Sequence, residues 1–442
     1  MGLRDVVLFN ITAIVGLRWI TTAAKIGPAA LLLWLIAMVT FFVPSAIVVA
    51  RLTERDPGEG GIYRWVTAAF GERHGFLAGW GYWVNNLVYY PSLLVTTAAI
   101  GAYALGERGV HLANDPVYVA VFSLVVLWLA LGLNILGLNV GKWVQNAGGY
   151  GTWIPALVLV VLGVWSFAQG GSATSFAPRA WIPKGFDYSL LAFFSTMAFG
   201  FAGLELAPVL GGEIQDPART IRKAILVSAV MIVVIYVVGT AAVLVALPAG
   251  SVDITNGVPQ AVHAIEGKLG IGWVTAPLAV LLVIGNVGGV GAWLAGSARI
   301  PFVAGLDRRL PAAFGRIHPR FQSPYVALLT QGAIATIFVL TGLLGSDVAA
   351  AYLVLLDTTV ILYFIPFIYM FAAYLRLERG SKETSAWGRV LAWVGLATVI
   401  LSIALSAIPA ERPASLGLFE IKVWGGVAGF MAIGAWLVRK KV

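Results

Sequence analysis

The sequence contains no cysteine, which excludes disulfides, thiolate metal sites and a cysteine nucleophile. Charge is scarce as well. Only 11% of the 442 residues are Asp, Glu, Lys or Arg, where a soluble domain carries about a quarter. Histidine occurs four times, as His74, His111, His263 and His318. No two of them share helical i, i+4 spacing and all flank apolar runs, so they are expected as loop residues, not metal ligands. Neither a metal nor any other cofactor is expected. No Walker motif is present, which argues against an ATP-driven pump. The glycine run from Gly285 to Gly291 follows no strand and lies within an apolar stretch, so close helix packing accounts for it better than a nucleotide loop.

Apolar residues are what the chain has in quantity: 60% of the sequence, with a mean hydropathy of +0.89. A helix needs about 20 apolar residues to cross a bilayer. That ruler finds twelve spans, near 5–24, 28–50, 76–104, 116–137, 147–168, 188–211, 223–248, 271–298, 325–345, 348–374, 387–408 and 421–438. The runs are continuous, not ten-residue alternations, so a β-barrel is not expected. The fold class read from this pattern is an all-α membrane protein.

With twelve spans both termini share a side. Loops on that side hold 21 Lys and Arg, from Arg4 to Lys441, against six on the other. The positive-inside rule then makes both termini cytoplasmic, in a multi-pass protein of a bacterial-type inner membrane. The formal charge of +9 reports topology, with the lipid bilayer and not nucleic acid as the partner.

Four charged residues remain inside spans: Arg18, Lys25, Glu205 and Asp357. Lys25 is near enough to a membrane surface to snorkel. The other three lie deeper, where an ionisable group is costly and marks a functional site. Two of them follow glycine in matching frames, Gly16-Leu17-Arg18 in span 1 and Gly203-Leu204-Glu205 in span 6. Interrupted segments at corresponding places in two halves point to a transporter's binding site. Unwinding there frees backbone groups that must line a cavity or meet a ligand. Half-helix N-termini attract a carboxylate, and free carbonyls an ammonium, so a zwitterionic amino acid suits the pair.

Three stretches resemble the amino acid–polyamine–organocation (APC) superfamily of transporters. Arg51 to Tyr63, reading R-L-T-E-R-D-P-G-E-G-G-I-Y, is followed by Ala69-Phe70-Gly71 and Gly75-Phe76; it is similar to the family's P-x-x-G-G-x-Y, A-F-G and G-F elements. Phe201 to Glu205, with Glu213 to Arg219, resembles F-x-G-x-E and E-x-x-N-P-x-R. The loop after span 8, with Arg299, Ala304, Asp307, Leu310-Pro311, Phe314, His318-Pro319-Arg320 and Pro324, resembles a third family pattern. The likeness extends over residues 1–380. It implies a leucine-transporter-type fold, with inverted repeats over 1–170 and 188–376 and peripheral helices over 387–442. It also implies a secondary active transporter, not an enzyme, working by alternating access. The substrate would lie between the broken spans 1 and 6, with spans 3, 8 and 10 contributing. In such transporters the amino-acid carboxylate meets amides of the first helix and the ammonium meets carbonyls of the sixth.

The resemblance and the residues together give an expected substrate-binding set of Ile14, Val15, Gly16, Leu17, Arg18, Trp19, Asn86, Phe199, Ala202, Gly203 and Trp293. Phe199 matches the position of an aromatic gate. Many relatives read G-S-G-I-F where this chain has Gly16-Leu17-Arg18-Trp19-Ile20. Arg18 suits a carboxylate through its planar fork; the alternative is an internal ion pair with Glu205 or Asp357. A carboxylate kept from water can take up a proton near neutral pH, so Glu205 and Asp357 are the expected proton-coupling residues. Glu205 also matches a proton-sensing position of the arginine/agmatine-exchanger branch. Span 5 has Thr152 near where some sodium-independent relatives carry lysine, which leaves the coupling ion open. The expected partners are an amino-acid substrate and protons or a counter-substrate, with a polyamine or organic-cation carrier and a non-transporting nutrient sensor as alternatives. The oligomeric state is not legible.

Overall fold

The structure, a computed structural model, describes residues 1–106, 109–182, 188–343, 348–381, 385–406 and 416–439. Every regular element among them is a helix. Ten of these helices are long and apolar enough to cross a membrane. The other two expected spans are Tyr325–Leu343, a slightly shorter apolar helix, and a sixth span divided into Tyr188–Gly200 and Leu206–Val209. Span 1 is likewise divided, into Leu3–Ile14 and Leu17–Ala24. The remaining spans are Ala29–Arg55 (span 2), Glu72–Ala102 (3), Pro116–Ile135 (4), Leu138–Gly170 (5), Pro217–Ala246 (7), Thr275–Leu306 (8), Val348–Leu377 (10), Ala386–Leu405 (11) and Leu416–Arg439 (12). Two further helices, Ile62–Phe70 and Gly257–Leu269, occupy stretches read from sequence as loops. They are too short for a membrane-length ruler to register.

The pattern of exposure is that of a membrane protein, apolar outside. Along span 4, Val117, Val121, Val125 and Leu129 recur every fourth residue and are each more than half exposed. They form one outward stripe. Span 3 is the opposite case: 89% of its most apolar window is buried, against 17% for span 12. Span 3 is therefore the spine and span 12 the periphery.

Two features aim side chains at the centre. Span 2 carries a π-helical turn, Met38–Phe42, just before Pro44, whose ring nitrogen has no proton for the ladder. The turn directs Phe42 inward, where it stacks on Phe201 at 4.6 Å. Spans 5 and 8 meet backbone to backbone: a Cβ at Gly148 would lie 2.6 Å from the Gly288 Cα. The glycine run of span 8 is thus a packing surface, and the contact fixes span 8 beside the site.

The motif residues gather at the end of the bundle that carries most of the basic loops. The inaccessible Glu378 carboxylate, just past span 10, holds Arg51 at 3.1 Å and Arg55 at 3.2 Å. Arg222 of span 7 meets Glu54 at 3.0 Å. Tyr63 donates to Asp307 at 2.7 Å; burial and that carboxylate push the phenol pKa up, so it remains a donor. Arg299 pairs with Glu213 and lies 3.2 Å from Glu59. These side chains fasten helix ends to one another. Their role in the fold is attachment.

Candidate functional site

The two breaks face each other in the core. In span 1 the ladder stops at Ile14, with Val15 and Gly16 extended. In span 6 it stops at Gly200, and Gly203 takes φ +130°, a conformation glycine adopts without strain. A Cβ there would also meet Ile14 at 2.7 Å, so glycine lets the breaks approach. Three side chains engage the freed backbone groups. The Tyr236 hydroxyl of span 7 lies 2.6 Å from the Ile14 carbonyl and 2.8 Å from that of Gly200, and accepts from the Gly16 N–H at 3.3 Å. The Trp293 indole of span 8 donates to the Ala13 carbonyl at 2.9 Å. The Glu205 carboxylate accepts from the Gly203 N–H at 3.1 Å.

Between the breaks is a cavity of about 10 Å³ lined by Ala13, Ile14, Trp19, Tyr89, Phe199, Ala202, Trp293 and Tyr363, room for about one water. Aromatic rings close it. Phe199 meets Trp19 edge-on at 5.5 Å and Tyr363 at 5.2 Å, while Tyr89 lies 5.4 Å from Trp293. The conformation is occluded around the centre.

The three deep charges are held in different ways. Glu205 is 1% exposed and accepts from the hydroxyl of Tyr82, at 2.8 Å, and that of Tyr363. Arg18 is 4% exposed. Its Nη2 donates to the Tyr89 hydroxyl at 2.9 Å, and its guanidinium covers the Trp19 and Tyr89 rings at 4.2 and 5.2 Å. Among the described residues no carboxylate lies within ion-pair distance of Arg18, and its Nε has no hydrogen-bond partner. The Arg18–Glu205 pair considered from sequence is not formed, because tyrosines take both groups. Asp357 is buried in span 10 with one carboxylate oxygen unpartnered among the described residues. It lies six residues from Tyr363, about 9 Å along the helix, and outside the cavity lining.

Of the expected binding residues, Ile14, Trp19, Phe199, Ala202 and Trp293 line the cavity. Val15, Gly16, Leu17 and Gly203 form or flank the breaks, and Arg18 stands behind Trp19 and Tyr89. Asn86 is elsewhere, donating to the Tyr82 carbonyl of its own helix. Sequence reasoning missed Ala13, Tyr82, Tyr236 and Tyr363. Tyrosine inside an apolar run was the available signal, since a buried hydroxyl requires a partner.

A broken-helix pair tied through its backbone and closed by aromatic rings is the centre of a membrane carrier. The amino acid permease family matches residues 1–433, and the chain belongs to that family, whose members are membrane transporters and not enzymes. It is 32% identical to an uncharacterised transporter of Legionella pneumophila, over 100% of this chain and 97% of that one. It is 24% identical to the probable agmatine/putrescine antiporter AguD of Lactococcus lactis, over 95% of this chain and 90% of that one. Among solved structures, MhsT in complex with L-phenylalanine matches with a TM-score of 0.66 at 14% identity, covering 92% of this chain and 98% of that one. The fold is therefore of the leucine-transporter type.

Proposed function

We propose that the protein is a secondary active amino-acid transporter working by alternating access, coupled to protons or to a counter-substrate. Its location is a bacterial-type inner membrane with both termini cytoplasmic, the orientation favoured by the 21 basic residues on one side. The observation that carries the reading is the pair of breaks across one cavity, bridged by the Tyr236 hydroxyl. The Leu17 and Arg18 amides, at the start of Leu17–Ala24, have no intrahelical acceptors, as at any helix start, and suit a carboxylate; Arg18 adds a cation beside them. Carbonyls at the span 6 break suit the ammonium. Opening the site requires Phe199 and Trp19 to part. Glu205 is the proposed proton carrier of the cycle, and Asp357 a second site for a proton. The two halves, 1–170 and 188–376, would move as inverted repeats, with 387–442 outside them.

AguD, an agmatine/putrescine antiporter by name, keeps a polyamine reading alive, with Glu205 and Asp357 as its counter-charges. Arg18 opposes it, because a guanidinium repels an organic cation. A thermal-shift screen of the purified protein separates the two readings, since a ligand that binds only the folded state raises its stability with occupancy. The proposal expects at least one amino acid to raise Tm and putrescine and agmatine not to. Stabilisation by the amines alone would reverse the assignment.

A further inference from the structure

We propose that the proposed cytoplasmic end of the molecule holds a second, inner site for a zwitterionic amino acid, separate from the central cavity. This rests on the amino-acid reading above.

A cavity of about 410 Å³ opens there between the end of span 4, span 8 and the loop entering span 9. Small-molecule sites occupy about 300–1,000 Å³, so this cavity accommodates an amino acid, and the occluded centre does not. The two share no lining residue. Span 8 separates them: Trp293 faces the centre, while Ala295 and Arg299 face the inner cavity. Two residues along a helix turn the side chain by about 200°.

The walls carry charges of both signs. Arg299 and Glu213 meet as an ion pair, with side chains only 11% and 20% exposed. Arg299 Nε faces the Glu59 carboxylate at 3.2 Å, and Glu213 Oε2, which is buried, has no donor among the described residues. Arg320 stands at the mouth with its guanidinium over Phe321, and Asn134 and Gln322 add polar edges. An apolar ligand would leave the buried Glu213 Oε2 without a donor, which is costly. A polyamine would meet the Arg320 guanidinium at the mouth, and a simple anion would leave Glu213 Oε2 unanswered. A zwitterion answers both signs, its carboxylate toward Arg320 and its ammonium toward Glu213. Bound in this way it competes with the Arg299–Glu213 contact that fastens span 8 to the turn after span 6. Substrate arriving from inside would then loosen the closure in front of it.

The absence of cysteine supplies the test. Asn134→Cys places a single thiol in the cavity wall, and Leu136→Cys, at an exposed position of the same wall, is a second reporter if the first does not fold. Inverted membrane vesicles are treated with methanethiosulfonate ethylsulfonate, with and without the proteinogenic amino acids other than cysteine. The expected result is modification slowed about fivefold or more at saturating ligand, with the protection falling below about twofold in Arg320→Gln and partly restored in Arg320→Lys. No slowing in either reporter overturns the inner site. Protection that survives Arg320→Gln in full also overturns it, because it would then come from movement driven at the centre. Protection in a protein that moves no amino acid would instead defeat the transport reading and leave the site standing.

Discussion

The Tyr236 hydroxyl lies 2.6 Å from the Ile14 carbonyl, the last helical residue before the break in span 1. The same oxygen reaches the Gly200 carbonyl, where span 6 stops. One side chain from span 7 therefore links both interrupted ladders, its single proton shared between the two carbonyls while its oxygen accepts from the Gly16 N–H, with its ring stacked on Trp34 at 4.5 Å. Unpaired backbone groups in a membrane interior cost several kcal/mol each, so an occluded state without substrate needs such a bridge. The zwitterion would find its own groups competing with this hydroxyl.

Tyr236→Phe keeps the ring and removes the bridge. The ligand-free protein is expected to lose about 1–3 kcal/mol of stability, the usual cost of leaving a buried polar group unsatisfied. Bound amino acid should restore part of it. The check is Tm with and without ligand; an equal fall in both conditions would mean that substrate does not engage the groups Tyr236 holds.

Glu205→Gln preserves shape but replaces an oxygen that accepts from tyrosine hydroxyls with an amide that also donates. Transport by this variant is expected to be slow and insensitive to pH, because the side chain no longer titrates. Initial rates of uptake from pH 5 to pH 8, about the range in which proton-linked switches operate, decide the matter. A pH dependence equal to the wild type's assigns the proton elsewhere, with Asp357→Asn as the next variant. A double-mutant cycle with Tyr363→Phe should give a coupling of about 0.5–3 kcal/mol, as for residues in one hydrogen-bond network.

Arg18 is a buried cation whose partners are a hydroxyl and two aromatic faces. Arg18→Gln is expected to raise the half-saturating concentration of amino acids about tenfold or more, corresponding to a lost charge-assisted hydrogen bond of about 1.5–3 kcal/mol. The same change should not impair binding of putrescine, which bears no carboxylate. Titrating both ligands against the pure protein measures the contrast. Equal loss for both would make Arg18 a structural residue of the second half of span 1.

Gly288→Ala tests the contact between spans 5 and 8. The new methyl would lie 2.4 Å from the Gly148 Cα, a backbone atom that cannot rotate away. Overpacking of this kind costs about 1–3 kcal/mol, so a lower Tm and a poorer yield are expected. Gly272→Ala, with open space around the new methyl, is the control and should match the wild type.

Length and hydropathy made the spans legible, and the glycine-plus-charge frames located both breaks. What periodicity could not supply was which face of each helix looks inward. Tyr82 and Tyr363 belong to spans three and ten, and only packing brings both to Glu205. Asn86 shows the converse. Its amide in an apolar run suggests a ligand, yet a carbonyl one turn back on its own helix takes the donor. Arg18 was legible as a deep charge, but its burial against Trp19 and Tyr89 follows from the unwinding at Gly16, which sequence located without orienting. The helices Ile62–Phe70 and Gly257–Leu269 escaped because a span-length criterion passes over short elements.

Counterflow in proteoliposomes tests the central claim most directly. Vesicles are loaded with unlabelled amino acids and diluted into trace amounts of the same amino acids carrying a radiolabel. The account predicts transient accumulation of label above equilibrium for at least one amino acid, abolished when Ala202→Trp fills the central cavity. No accumulation of any amino acid, with putrescine or agmatine accumulating instead, would contradict it.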